Sequence, residues 1–348
     1  MGDGITAEAV TTALNRRPEA LAYIQRLSVG IREPPPDGDA GEDEWTEREL
    51  YGERHWAAFG RRLAAARPVS LTLDTSLSSA MTDLACALTT TSRLHVLDPS
   101  DTDLARMLAA MTGLRGLSIV VTGDYWPAPR PSSAMRLAGA LESLGLEVGS
   151  ASACGRTGAI WRLLGGPVGS LRKLWLQLGG EKVEPLATAL VERAHVGSPL
   201  LRELSLSLAP FTESGAAITF DSGLAAAVSA FAGLEKLHLN GVVVTPGARL
   251  DVECKPVVSF VRIASPLLED YVPVVEAFPG CPQVKIHIFQ YGPLRGLLRR
   301  HCKDRGLTHI RIPDFHQPGV PGRRRRKKKR GQARASAAGP DAQAAQTV

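Results

Sequence analysis

The sequence predicts an α/β fold, a right-handed α/β solenoid of about ten to eleven irregular repeats. Three observations predict it. One phrase recurs: leucine, two spacers, leucine, one spacer, aliphatic. It stands at Leu114-Arg-Gly-Leu117-Ser-Ile119, Leu171-Arg-Lys-Leu174-Trp-Leu176, Leu201-Arg-Glu-Leu204-Ser-Leu206 and Leu234-Glu-Lys-Leu237-His-Leu239. Each copy alternates apolar and polar residues, the period of a strand. Between copies lie amphipathic stretches with helical spacing. A strand, a helix and a return in every unit build a parallel sheet through right-handed crossovers.

Taken in order, the central leucine-x-aliphatic pairs are Leu27/Val29, Leu71/Leu73, Leu94/Val96, Leu117/Ile119, Leu144/Leu146, Leu174/Leu176, Leu204/Leu206, Leu237/Leu239, Val261/Ile263, Ile286/Ile288 and Ile310/Ile312. Their steps are 44, 23, 23, 27, 30, 30, 33, 24, 25 and 24 residues. Most fall in or near the range of about 20–29 residues typical of a leucine-rich repeat. Helices are expected over 80–87, 103–111, 134–141, 185–194 and 223–231, each ahead of the next strand. Residues 251–256 read as loop, so the unit that follows is expected to be irregular. So is the unit of 283–288, whose first slot is the polar Gln283. Ser100 or Asp101 is expected to cap the helix that follows, which explains the acids Asp98, Asp101 and Asp103 without a metal. Likewise Thr6 is read as a cap, with Glu8 in the first turn, rather than as part of a myristoylation signal.

The long first step contains an insertion over 31–54, with Pro34 to Pro36 followed by Asp37, Asp39, Glu42, Asp43, Glu44, Glu47 and Glu49. Proline and acid at this density bury no core, so the segment is expected to be largely disordered. The resulting division is residues 1–30 for an N-terminal helix and first strand, 31–54 for the insertion, 55–316 for the repeat domain, and 317–348 for a disordered basic tail. That tail runs Arg323, Arg324, Arg325, Arg326, Lys327, Lys328, Lys329, Arg330, and adds Arg334 against the single Asp341. It therefore carries +8 of a chain total of +6, so the body is slightly acidic. The basic balance belongs to a tether, and eight consecutive cations on a tether suit a nuclear import receptor. Nucleic acid is expected to be contacted through the tail only, without base stacking, since no aromatic is interleaved.

Composition is that of a soluble globular chain, with 44% hydrophobic and 22% charged residues among 348. The five cysteines are scattered and lack metal or redox spacing. They read as free buried thiols of a reducing compartment. No secretory signal and no membrane span are legible. The expected location is nuclear or nucleocytoplasmic, not secreted.

The irregular repeats resemble the leucine-rich-repeat horseshoes of F-box proteins and of ribonuclease-inhibitor-like folds. The opening Arg17-Pro-Glu-Ala-Leu-Ala-Tyr-Ile-Gln-Arg-Leu27-Ser-Val29 is similar to the first repeat of fungal F-box-like proteins. That resemblance implies a substrate-recognition subunit of a cullin-type ubiquitin ligase. The sequence departs from the pattern, because only Met1 to Asn15 precedes the first repeat and no F-box is visible there. Ran GTPase-activating proteins are similar crescents that use an arginine on a repeat loop. Here Arg115, Arg172 and Arg202 sit within the strand phrases instead.

The spacer inside each pair points away from the core. The expected outward ladder is Thr72, His95, Ser118, Gly145, Trp175, Ser205, His238, Arg262, His287 and Arg311. Lys173, Gln177, Glu203, Ser207, Lys236 and Asn240 flank it. An exposed tryptophan among charged neighbours has the composition of a binding hot spot. The partner-binding set is therefore Lys173, Trp175, Gln177, Glu203, Ser205, Lys236, His238, Asn240, Arg262, His287 and Arg311. The last arginines and His287 form an expected basic end.

His95, His238 and His287 lie on non-adjacent strands, too far apart to share one ion, so no metal is expected. No Gly-rich phosphate loop, nucleophile elbow or H-E-x-x-H is present, and no cofactor is expected. The reading is a non-enzymatic protein that holds a protein partner on its concave sheet face, away from membranes. The ubiquitin-ligase receptor is the alternative, followed by a small-GTPase regulator and a nucleic-acid-associated protein.

Overall fold

The computed structural model describes residues 16, 19, 25–29, 63, 68–76, 79–122, 141–149, 170–179, 183–209, 218–251, 253–262, 267–288 and 292–313. They lie within the first of two units, Met1–Pro313; the second, Asp314–Val348, is outside the described residues. The insertion, the basic run, the Thr6 cap and residues 134–140 of the expected third helix also lie outside them.

One parallel sheet carries the architecture. Its strands are β1 (Arg26–Val29), β2 (Ser70–Ser76), β3 (Arg93–Leu97), β4 (Gly116–Val121), β5 (Ser143–Val148), β6 (Lys173–Leu178) and β7 (Glu203–Leu208). They continue with β9 (Lys236–Asn240), β11 (Val257–Arg262), β12 (Gln283–Ile288) and β13 (Ile310–Arg311). Each pairs with the strand before and after it, so spatial order follows chain order through eleven strands. Two further strands, β8 (Ile218–Phe220) and β10 (Val242–Val244), pair with each other in a small parallel sheet. Three-residue strands are too short to show a period, and the sequence pattern did not reveal them.

The helices are α1 (Ser79–Ala87), α2 (Asp101–Ala110), α3 (Val183–Gly197), α4 (Ser222–Ser229), α5 (Val272–Ala277) and α6 (Gly292–Asp304). Four correspond to expected helices; α5 and α6 are additional. The expected helix over 223–231 ends two residues early, and Phe231 instead turns into the core. Ser100 caps α2 by accepting from the Asp103 N–H at 3.1 Å. Asp221 caps α4 by accepting from the Leu224 N–H at 2.8 Å. Asp98 does something else. At φ 43° it accepts from the Thr122 N–H at 2.7 Å, tying the turn after β3 to the end of β4.

The repeated leucines stack in two inward rows. The first runs Leu27, Leu71, Leu94, Leu117, Leu144, Leu174, Leu204 and Leu237 in strict register. From Leu71 onward these are buried against helix residues such as Met81, Leu104, Leu190 and Leu224. Each layer also closes at the strand entrance. The carbonyls of Gln25, Val69, Ser92, Arg115, Glu142, Arg172 and Arg202 each accept two successive amides from the next strand, at 2.8 to 3.1 Å.

The expected register fails after Leu237. Val258 pairs with Leu237 and with Val284, and Val284 pairs with Ile310. The inward pairs are thus Val258/Phe260 and Val284/Ile286, where the phrase had suggested Val261/Ile263 and Ile286/Ile288. A three-residue shift is odd, so it exchanges the two faces of β11. The cause is the run Val257-Val-Ser-Phe-Val261, apolar at four of its five positions, which offers more than one apolar frame. Phe260 fills the leucine slot, and Tyr271 and Phe278 occupy the neighbouring core, each with essentially no exposure. The Phe220 and Phe278 rings meet at 5.6 Å.

Candidate functional site

Three rows of side chains cross the outward face of the sheet. The row nearest the strand entrances is Ser70, Arg93, Gly116, Ser143, Lys173, Glu203, Lys236. The next is Thr72, His95, Ser118, Gly145, Trp175, Ser205, His238, then Ser259, Lys285 and Arg311. The third holds Val120, Glu147, Gln177, Ser207, Asn240, Val261 and His287. The expected ladder is therefore correct from Thr72 to His238 and again at Arg311.

Two members are displaced. Arg262 pairs with Ile288 and not with a member of the ladder, and Ser259, which pairs with His238 and Lys285, takes its place. His287 stays on the outward face but moves to the third row, with Lys285 in the slot assigned to it. Ser207 keeps its row but is buried, so it offers no surface. The basic end consists of Lys285 and Arg311. Gln283, with its amide oriented to accept, takes N–H groups from Arg311 at 2.9 and 3.2 Å.

Trp175, 41% exposed, stands at the centre of the second row. The neighbouring spacer is Gly145, and the indole leans over the space left by its missing side chain. A Cβ on Gly145 would stand 3.3 Å from Trp175 Cε3 and 3.3 Å from Ser118 Oγ. Two strands along, on β3 and β4, His95 Nδ1 and Ser118 Oγ share a hydrogen bond of 3.0 Å.

On the other side of Trp175, Glu203 gathers cations. Lys173 Nζ lies 3.3 Å and Lys236 Nζ 3.8 Å from Glu203 Oε2, and His238 Nε2 lies 3.8 Å from Oε1. Pairs this exposed each contribute about 0–1 kcal/mol, so they orient side chains more than they stabilise the fold. Gln177 donates to Glu147 Oε1 at 2.9 Å. Asn240 is exposed at the row's far side.

These groups line an open groove of about 460 Å³ that runs from Ser70 across Gly145 to His238. The expected residues Lys173, Trp175, Glu203, Ser205 and His238 line it, and Lys236 joins through Glu203. Arg93, Gly116 and Ser143 line it too. Sequence reasoning had passed over these three, although each stands directly before its inward leucine, where Lys173 and Lys236 stand in their own strands.

Burial, assisted by Lys285, lowers the His287 pKa, so its ring stays neutral further into acid. Burial pushes Cys254 up to about 11 and Cys281 up to about 12. Burial also raises Cys302 and, against Arg106, Cys86. These thiols are free, and at neutral pH they are poor nucleophiles. Among the described residues, no group of three His, Cys, Asp or Glu side chains is arranged to hold a metal. No described helix is long and apolar enough to cross a membrane. No protein-family model matches the chain, and no curated protein matches it.

Proposed function

We propose that the chain is a right-handed leucine-rich-repeat solenoid of about ten to eleven repeats that holds a protein partner on its outward, concave sheet face. The observation that carries this reading is the half-exposed Trp175 lying across Gly145 beside a cluster of ionic side chains. A large aromatic carried on a sheet strand loses little freedom on binding, the property of a hot-spot anchor. The role is non-enzymatic. The amides of these strands are consumed by the parallel ladder, which leaves few backbone donors to stabilise developing charge. Nuclear import through Arg323–Arg330 is a separate part of the proposal and rests on the charge run alone.

The test is affinity purification of the intact chain beside a Trp175→Ala, Lys236→Ala, His238→Ala variant. The variant should fold normally, because all three side chains are at least partly exposed, and should lose the proteins that the parent retains. An unchanged set of retained proteins would sink the assignment.

A further inference from the structure

Two glycines open a notch in the outward face. Gly116 pairs with Ser143, and Ser118 pairs with Gly145, on the adjacent strands β4 and β5. The floor is thus two hydrogen atoms and two hydroxyls. Both walls lean over it. Arg93 Cγ lies 3.4 Å from where a Gly116 Cβ would stand, and Trp175 Cε3 lies 3.3 Å from a Gly145 Cβ. The backbones of Arg93 and Lys173 are three strand spacings apart, about 14 Å, a span that extended side chains can close upon a ligand.

The charges around the notch are not balanced. Lys173, Lys236 and, when protonated, His238 converge on the one Glu203 carboxylate. The exposed Arg93 guanidinium has no acidic partner among the described residues. The notch therefore has on one wall a guanidinium without an acidic partner among the described residues, on the other a shared ammonium and an indole, and beneath them the hydroxyls of Ser143 and Ser118, the latter bonded to His95 Nδ1. A carboxylate over Gly116 and Ser143 would find Arg93 and Lys173 on either side. An apolar side chain next to it would cover the indole. A nucleic-acid backbone fits less well, because it gains affinity from many phosphate contacts and here would meet Glu203 within the same wall.

On the premise that the outward face is the partner surface, we propose that this notch takes an extended acidic segment of the partner. One carboxylate sits between Arg93 and Lys173, and a neighbouring apolar side chain packs on Trp175.

The probe is a fluorescein-labelled peptide, Glu-Glu-Leu-Glu-Glu-Leu-Glu, titrated by anisotropy against the full-length protein. The tail is itself polycationic, so the measurement is repeated on a full-length chain with Arg323–Arg330 replaced by glutamine. Binding should persist in the tail-substituted chain and weaken as sodium chloride rises. It should fall at least about tenfold in Arg93→Glu/Lys173→Glu and be largely restored in Arg93→Lys. The proposal is overturned if the tail-substituted chain does not bind the peptide, if the double reversal leaves affinity unchanged, or if oligothymidylate binds the tail-substituted chain more tightly than the peptide does. Loss of the peptide result with retained partners still sensitive to Trp175→Ala would remove this inference alone; insensitivity of the partners would remove the surface reading as well.

Discussion

The strands β3 to β7 with β9, and the strands β11 to β13, belong to one sheet but obey different rules. In the first set a leucine occupies nearly every first inward slot, every spacer faces outward, and phrase and register coincide. In the second, aromatic residues replace leucine in the core, the phrase no longer marks the register, and outward positions hold Ser259 and Lys285. The difference teaches that a repeat phrase reports register where leucine marks the first inward slot, and loses it where valine stands there instead. In Leu174-Trp-Leu176 the polar flanks Lys173 and Gln177 forbid any other frame. In Val257-Val-Ser-Phe-Val261 four of five residues are apolar, and the size of Phe260 decides which face is buried.

The sharpest way to break this comparison is to truncate both cores at the same row. Phe260→Ala should cost about 3–5 kcal/mol, and Leu206→Ala about 2–5 kcal/mol, in denaturant unfolding. A loss below about 1 kcal/mol for Phe260→Ala would mean that the later strands do not depend on their aromatic filling. The junction between the regions is the next lever. Gly241 ends β9 at φ 69°, and a Cβ there would lie 2.9 Å from Leu208 Cβ. Gly241→Ala should cost at least about 1–2 kcal/mol from the left-handed backbone, with the clash added. Gly247→Ala, at φ 87° with open space around it, should cost the backbone share only. A local control comes from the caps. Ser100→Ala in the first region and Asp221→Ala beside the junction should each cost about 1 kcal/mol, since capping is indifferent to the frame of the sheet.

The smallest expected effect distinguishes the regions by pH. His287 has a lowered pKa in the folded chain, so the unfolded chain binds its proton first as pH falls. Its contribution is present above the ordinary value of 6.5 and is lost as pH drops from there towards the folded value. His287→Gln should flatten the pH dependence of the melting temperature in that window. An unchanged slope would contradict the burial that causes the shift.

Much of this was legible in the residues. The spacers at His95, Ser118, Trp175, Ser205 and His238 fall in one row by count along the sequence alone. Glu203 could be placed beside Lys173 and Lys236 by the same count, but not as the carboxylate on which both converge. Arg93 was missed because attention fell on the spacer inside each pair, whereas the residue just before the pair faces outward equally. The roles of Gly116 and Gly145 were hidden for another reason. A glycine in a strand states only that a side chain is absent, and what leans into the vacated space depends on the neighbouring strands. Arg262 was displaced because four of the five residues of Val257-Val-Ser-Phe-Val261 are apolar, whereas His287 was displaced because Gln283-Val-Lys-Ile-His-Ile288 alternates throughout and holds two overlapping pairs, between which only the pairing with the neighbouring strands chooses.

Strand order that follows chain order has a bearing on how the protein assembles. Each strand finds its partners 21 to 44 residues away and nowhere else. Closing such intervals costs nearly the same everywhere, because doubling a loop adds only about 0.6 kcal/mol. Folding can therefore begin at any well-packed layer and spread both ways, like a zip fastener without a fixed starting tooth. Damage travels just as locally. Fraying at β1 or β13 leaves several intact layers on either side of Trp175, so the groove outlasts the ends of its own sheet.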